Sequence, residues 1–153
     1  MKKSDHLFRL AQALADERPA FFNVKGPGLG DADTQSFMAE LRVRATDAFN
    51  VDYAEKKICG RNSLCVDFFL PDEQTIVEVA LALRNPTSEY ERDLLKALMA
   101  TDEGHRVSLL IFISKPGANK RLSQPGARAI ASWAKRKHDL TVEVREMAQR
   151  KAV

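Results

Sequence analysis

The chain has 153 residues, 44% of them apolar and 29% charged, a composition typical of a globular protein with one domain rather than a disordered or fibrous one. No apolar run approaches the roughly 20 residues that cross a bilayer, and the apolar residues near the N-terminus recur at helical spacing, unlike a signal peptide. We therefore expect a single cytoplasmic domain, residues 1–153, without a membrane partner.

The distribution of charge is more informative than the net charge of +3. Between Lys115 and His138 the sequence has basic residues and no Asp or Glu, whereas the remainder of the chain is net acidic. Such a segment suits a polyanion such as DNA or RNA, and the alternative is an ordinary solvated loop and helix face. We call its members the basic segment: Lys115, Lys120, Arg121, Arg128, Lys135, Arg136 and Lys137.

Four helices are predicted from apolar spacing and from helix-start signals. The first covers residues 4–16 and the second 34–48, a third begins at Pro86, and a fourth covers 123–137. The residues predicted to face the core are Phe37, Leu41, Ala45 and Ala48 in the second helix and Leu94, Leu95 and Leu98 in the third. A Ser88-x-x-Glu91 capping box supports the start of the third.

Between the first two helices lies GPGLG, residues 26–30. We interpret it as a connector rather than a phosphate-binding loop, because it lacks the GK[ST] signature and Pro27 has no amide donor. Cys59 and Cys65 lack the spacing of a zinc site and are interpreted as free thiols.

Five strands are predicted. Residues 51–58 and the hairpin 63–83, which turns at PDEQ, should form three sequential antiparallel strands. Residues 106–114 are nearly all apolar, as a central strand covered on both faces would be, and 140–146 alternate like an edge strand.

The hairpin carries one acid on each strand, Asp67 and Glu78, among apolar neighbours. If Leu70 pairs with Thr75 across the turn, the two acids face each other with Cβ atoms about 5 Å apart. They repel unless one is protonated, a cation pairs them or water reaches both. Mg²⁺ bound by both carboxylates would remove this repulsion, because it pairs the two charges and carries its own coordinated waters. The alternative is that this face of the hairpin is exposed and the acids are ordinary surface residues.

An acid on one hairpin strand, an E-x-x triplet (EVA, 78–80) on the next and a helix–strand pair afterwards resemble the PD-(D/E)xK nuclease superfamily over about residues 34–113. The resemblance implies an α/β fold with a restriction-endonuclease-like αβββαβ core, an extra N-terminal helix and a C-terminal helix–strand extension. It also implies Mg²⁺ or Mn²⁺ held by Asp67 and Glu78 with Glu40 from the preceding helix, hydrolysis of phosphodiesters in DNA or RNA, and a homodimer as one assembly.

The lysine of the family's motif is replaced by Ala80. Family members sometimes take this cation from another element, and Lys57 is our preferred candidate. A turn at residues 60–62 would place it across from Cys65, itself opposite Ala80. The other candidates are Lys56, Arg84 and Lys96. We expect Lys96 to be solvated, because it shares a helix face with Glu89, Arg92 and Asp93.

Three classes of function are consistent with the sequence. The first is a metal-dependent nuclease with Asp67, Glu78 and Lys57 as catalytic residues. The second is a catalytically degenerate nuclease fold that binds nucleic acid or a protein, which Ala80 favours. The third is a structural module in which the acids are exposed and have no role in binding.

Overall fold

The computed structural model describes residues 1–23, 29–81 and 86–150. It is a mixed α/β structure with a five-stranded sheet in the order β1-β2-β3-β4-β5. The helices are α1 (Lys3–Glu17), α2 (Leu29–Phe49), α3 (Pro86–Asp102), α4 (Ala118–Leu122) and α5 (Pro125–His138). The strands are β1 (Ala54–Lys56), β2 (Val66–Leu70), β3 (Thr75–Val79), β4 (Leu109–Ser114) and β5 (Thr141–Glu146). The predicted order of elements is confirmed, except that the short helix α4 was not predicted; α5 corresponds to the predicted helix 123–137.

The sheet is antiparallel over its first three strands and parallel over its last three. Leu70 pairs with Thr75 across the hairpin turn, which confirms the predicted register of β2 and β3. Lys56 pairs with Val66, which is the register predicted for β1 and β2. Because β3 and β4 are parallel, as are β4 and β5, the carboxyl ends of these three strands lie at the same edge of the sheet.

Apolar side chains cover both faces of the sheet and form two cores. The first core joins α1 and α2 to one face, and the second joins α3 and α5 to the other. Strand β4 contributes to both because its side chains alternate between the faces, so the prediction of a strand buried on both sides is confirmed. Strand β5 lies at the edge of the sheet, also as predicted. Among the described residues, no helix is long and apolar enough to cross a membrane.

Helix α1 is attached to parts of the chain that are distant in sequence. The Gln12 side-chain amide donates to the carbonyl of Ala148 at 2.8 Å and accepts from its N–H at 2.7 Å, which reproduces the double hydrogen bond of a strand pair. At the start of the helix, the Ser4 hydroxyl donates to Glu73 at 2.7 Å. The helix therefore connects the hairpin turn with the segment that follows β5.

The orientation of α3 differs from the prediction. Leu94 is buried and Leu98 is partly buried, but Leu95 is 55% exposed. The helix instead turns Asp93 and Lys96 toward the sheet, and Lys96 is only 8% exposed, so the prediction of a solvated Lys96 is wrong. The physical reason is that Glu78 and the Cys65 carbonyl accept hydrogen bonds from its ammonium.

Other differences are smaller. Helix α2 begins at Leu29, earlier than predicted, and Ala48 is exposed rather than part of the core. Residues 26–28 of the predicted connector lie outside the described residues. The same holds for Arg84 and for the side chain of Ser88, so the capping box is not described.

Candidate functional site

Asp67 and Glu78 meet where β2 begins and β3 ends. The backbone N–H of Asp67 donates to Oε1 of Glu78 at 3.3 Å, and the N–H of Val79 donates to Oδ2 of Asp67 at 2.8 Å. Each carboxylate thus receives an amide of the opposite strand. The predicted encounter of the two acids is confirmed. The alternative of an exposed hairpin face is wrong, since Glu78 is 3% exposed.

The positively charged side chain that lies beside these acids is that of Lys96, on α3. Its Nζ lies 3.2 Å from both carboxylate oxygens of Glu78 and 3.1 Å from Oδ1 of Asp93, and it donates to the carbonyl of Cys65 at 2.9 Å. An ammonium has three donors, and each of them has a partner here. We call Asp67, Glu78, Asp93 and Lys96 the Lys96 cluster.

Burial dominates the electrostatics of the Lys96 cluster. It raises the pKa of Glu78 well above its ordinary value, and repulsion from Asp67 and Asp93 adds to the rise. Burial also raises the pKa of Asp93 and of Asp67, against the effect of Lys96 on both. For Lys96, burial lowers the pKa, but attraction to Glu78 and Asp93 outweighs it and the net direction is upward. Lys96 therefore stays charged, and Glu78 is the carboxyl most disposed to hold a proton.

The shifted pKa of Glu78 predicts a dependence of stability on pH. A carboxyl whose pKa is higher in the folded state contributes stability that is complete below its unfolded pKa, ordinarily 4.5, and is lost as pH rises through the raised value. Glu78→Gln removes this titration. In metal-free buffer we expect the thermal midpoint of the variant to fall less than that of the wild type as pH rises from about 4 to 8. Thermal unfolding of both proteins across this range measures the difference.

Glu40→Gln is the matched control, because Glu40 is a partly exposed carboxylate paired with Arg44 on α2, outside the Lys96 cluster. Parallel pH profiles for the wild type and Glu78→Gln would contradict the prediction.

Two residues predicted for the site lie elsewhere. Glu40 accepts from Arg44 Nε at 3.1 Å on α2, and the buried side chains of α2 belong to the first core, on the face of the sheet opposite Lys96. The structure therefore does not bring Glu40 into the Lys96 cluster. Lys57 follows β1 in the predicted register, but its side chain is exposed. Of the three candidate cations that lie within the described residues, Lys96 is the one that contacts Glu78.

Sequence reasoning missed two residues near the site. Asp93 precedes Lys96 by three residues, so their pairing was a local signal, but both residues were assigned to a solvated helix face. For Arg42 of α2, no pattern of neighbouring residues in the sequence indicated that it lies near Asp67. Burial raises the pKa of Asp67, and the positive charge of Arg42 opposes that rise. Arg42 Nη2 lies 3.0 Å from Glu55, and the guanidinium lines a cavity of about 340 Å³ between α2 and β1.

The donor chemistry of Asp67 and Glu78 fits Mg²⁺, which commonly takes one or two carboxylates and completes its coordination with waters and substrate oxygens. No group of three or more His, Cys, Asp or Glu side chains placed to hold a metal occurs in the described ranges 1–23, 29–81 and 86–150. With respect to these described residues, solvent or substrate would supply the further ligands.

The basic segment begins at the edge of the sheet that holds the carboxyl ends of β3 and β4. The N–H of Lys115 donates to the carbonyl of Leu81 at 3.3 Å, which ties the segment to the chain just after β3. The Lys115 ammonium lies 4.3 Å from the centroid of the Phe21 ring. The other members are exposed on α4 and α5, among them Lys135, which pairs with Asp139 at 2.7 Å.

Comparison with protein-family models, with curated proteins and with solved structures finds no match. The geometry of the Lys96 cluster and the placement of the basic segment are therefore the basis for assigning a function.

Proposed function

We propose that the protein is a nuclease-like protein of the PD-(D/E)xK type that acts on phosphodiesters of DNA or RNA. The observation that carries the proposal is the Lys96 ammonium, 3.2 Å from the carboxylate of Glu78. Glu78 is the acid of the EVA triplet, in which Ala80 stands at the lysine position. A cation supplied by α3 would compensate for that replacement.

The order of elements supports the same proposal. Helix α2, the three antiparallel strands, helix α3 and strand β4 follow one another in the αβββαβ order of a restriction-endonuclease-like core. In this interpretation α1 is the extra N-terminal helix, and α4, α5 and β5 form the C-terminal extension.

Each member of the Lys96 cluster has a distinct part in the proposed chemistry. Asp67 and Glu78 would hold the metal ion, which supplies Lewis-acid polarisation of a phosphoryl oxygen and a more acidic water when bound. Lys96 places a fixed positive charge where the scissile phosphate gains negative charge. Asp93 and the Cys65 carbonyl are positioning groups, because they hold the Lys96 ammonium from the sides that Glu78 leaves open.

A second candidate function is a degenerate fold that binds nucleic acid without cutting it. The observation that favours it is the burial of Glu78, whose carboxylate already has Lys96 and the Asp67 amide as partners. In that case the Lys96 cluster is a structural ion-pair network, and the basic segment supplies the affinity. Binding would then weaken steeply with salt, because phosphate contacts release counterions.

Calorimetric titration with Mg²⁺ and with Mn²⁺ separates these candidates. We expect the wild type to bind the metal and Asp67→Asn to lose that binding, because a neutral amide is a poor ligand for a hard divalent cation. The metal-loaded proteins are then incubated with single- and double-stranded DNA and RNA. Metal binding that is lost in the variant, together with cleavage, supports the nuclease.

Glu40→Gln is the control for this titration and should bind metal as the wild type does. Metal binding without cleavage would support the degenerate fold. Metal binding that survives Asp67→Asn, or that is absent from the wild type, would contradict the assignment of the metal ligands.

A further inference from the structure

The exposed surface of α5 combines one aromatic ring with positive charge. Trp133, the single tryptophan of the chain, is 39% exposed there. The charged side chains of α5 are Arg128, Lys135, Arg136 and Lys137, all of them basic and exposed. A large exposed aromatic side chain without neighbouring acids on its own helix is a favourable surface for a ligand with both apolar faces and negative charge.

The indole of Trp133 is held at the boundary between the buried and exposed sides of α5. Ala134 is fully buried and anchors the helix in the second core. The His138 ring meets the indole at a centroid distance of 5.0 Å and an angle of 68°, so the two rings form an edge contact and are not stacked face to face. Arg136 and Lys137 follow Trp133 by three and four residues, which places them one helical turn away on the same side.

We propose that Trp133 is a stacking platform for an unpaired base of single-stranded nucleic acid, with Arg136 and Lys137 contacting the adjacent phosphates. This inference rests on the proposed function and specifies its substrate class. Every nucleobase has a π-face that stacks on an aromatic ring, and basic side chains beside the ring bind the backbone. In a duplex the base faces are covered by their neighbours, so a duplex offers α5 only its phosphates.

The position of α5 relative to the Lys96 cluster is consistent with this substrate. Helix α5 connects β4 to the parallel strand β5, so it runs antiparallel to both and begins at the sheet edge where β3 and β4 end. Trp133 lies about 12 Å along the helix from Pro125, at 1.5 Å per residue. A single strand lying along α5 would therefore extend from Trp133 toward the edge that holds Glu78.

The fluorescence of the single tryptophan tests the proposal directly. The wild type is titrated with a short oligothymidylate, with oligouridylate, with the same DNA backbone carrying abasic sites, and with a hairpin duplex. We expect quenching by the two single strands and little by the abasic strand or the duplex. Anisotropy of labelled oligothymidylate should show binding about 5- to 150-fold weaker for Trp133→Ala, the range of one lost stacking contact.

Trp133→Phe should retain part of the affinity, since phenyl rings also stack. Leu95→Ala is the matched control, because it removes an exposed apolar side chain from α3. Binding of single strands without fluorescence quenching would overturn the stacking role of Trp133. Unchanged affinity in Trp133→Ala would overturn it too, and either result would leave nucleic-acid binding itself intact. Equal quenching by the duplex would overturn the single-strand preference. Failure to bind any nucleic acid would overturn the proposed function as well.

Discussion

Lys96→Met is expected to lower the free energy of unfolding by about 3–5 kcal/mol, the usual effect of removing one partner from a buried ion pair. Methionine fills a similar volume, so the effect comes from charge rather than from a cavity. Without the ammonium, Glu78 and Asp93 are left as buried carboxyls that repel each other and Asp67. Urea denaturation at neutral pH measures the difference.

The exposed Lys57 provides the control: Lys57→Met should change stability by less than about 0.5 kcal/mol. Because the buried carboxyls can take up protons, the effect of Lys96→Met should become smaller at pH 5 than at pH 8. Adding Glu78→Gln should recover part of the loss by removing one of the charges. An unchanged unfolding midpoint in Lys96→Met at both pH values would show that the cation has no structural importance.

On the proposed nuclease function, Lys96→Met is also expected to reduce metal-dependent cleavage by roughly 10²- to 10³-fold, the typical effect of removing one preorganised charge from an active site. Ala80→Lys in the same background should restore part of the activity. Ala80 follows Glu78 by two residues and is 7% exposed in the second core, so a lysine there would start on the same face of the sheet. Single-turnover cleavage, normalised to the folded fraction, compares the variants.

Glu40→Gln serves again as the reference for a distant acid and should cleave at the wild-type rate. Full activity in folded Lys96→Met would exclude Lys96 as the catalytic cation. If the folded double variant Lys96→Met/Ala80→Lys binds metal but cleaves no faster than Lys96→Met, a lysine at position 80 cannot replace Lys96.

The hairpin was the part of the fold that sequence patterns predicted best. Successive side chains of a strand point to opposite faces of the sheet, and the short turn fixes which residues of the two strands pair. Leu70 therefore opposes Thr75, and the two acids meet. Strand β4 was predicted equally well, because a short and nearly continuous run of apolar residues is typical of a central strand that is covered on both faces. These features depend on neighbours in sequence or across one turn.

The rotation of α3 and the role of Lys96 depend on partners that local patterns do not contain. A helical stripe that includes charged residues is ordinarily assigned to solvent, and that rule placed Lys96 outside and Leu95 inside. The opposite arrangement is stabilised by Glu78 and the Cys65 carbonyl, both from the hairpin. The same limit applies to Arg42, whose influence on Asp67 arises from packing between a helix and a strand.

The double hydrogen bond between Gln12 and Ala148 has a consequence for the order in which the chain acquires its structure. During synthesis, α1 emerges well before its partner, which is the segment that follows β5. Contacts of such high sequence separation form late and slow the folding of a domain. Until then, the apolar side of α1 lacks this attachment, and incomplete chains expose apolar surface that favours association. Slower elongation between α1 and the segment that follows β5 would lengthen that interval, so we expect it to lower the yield of folded protein.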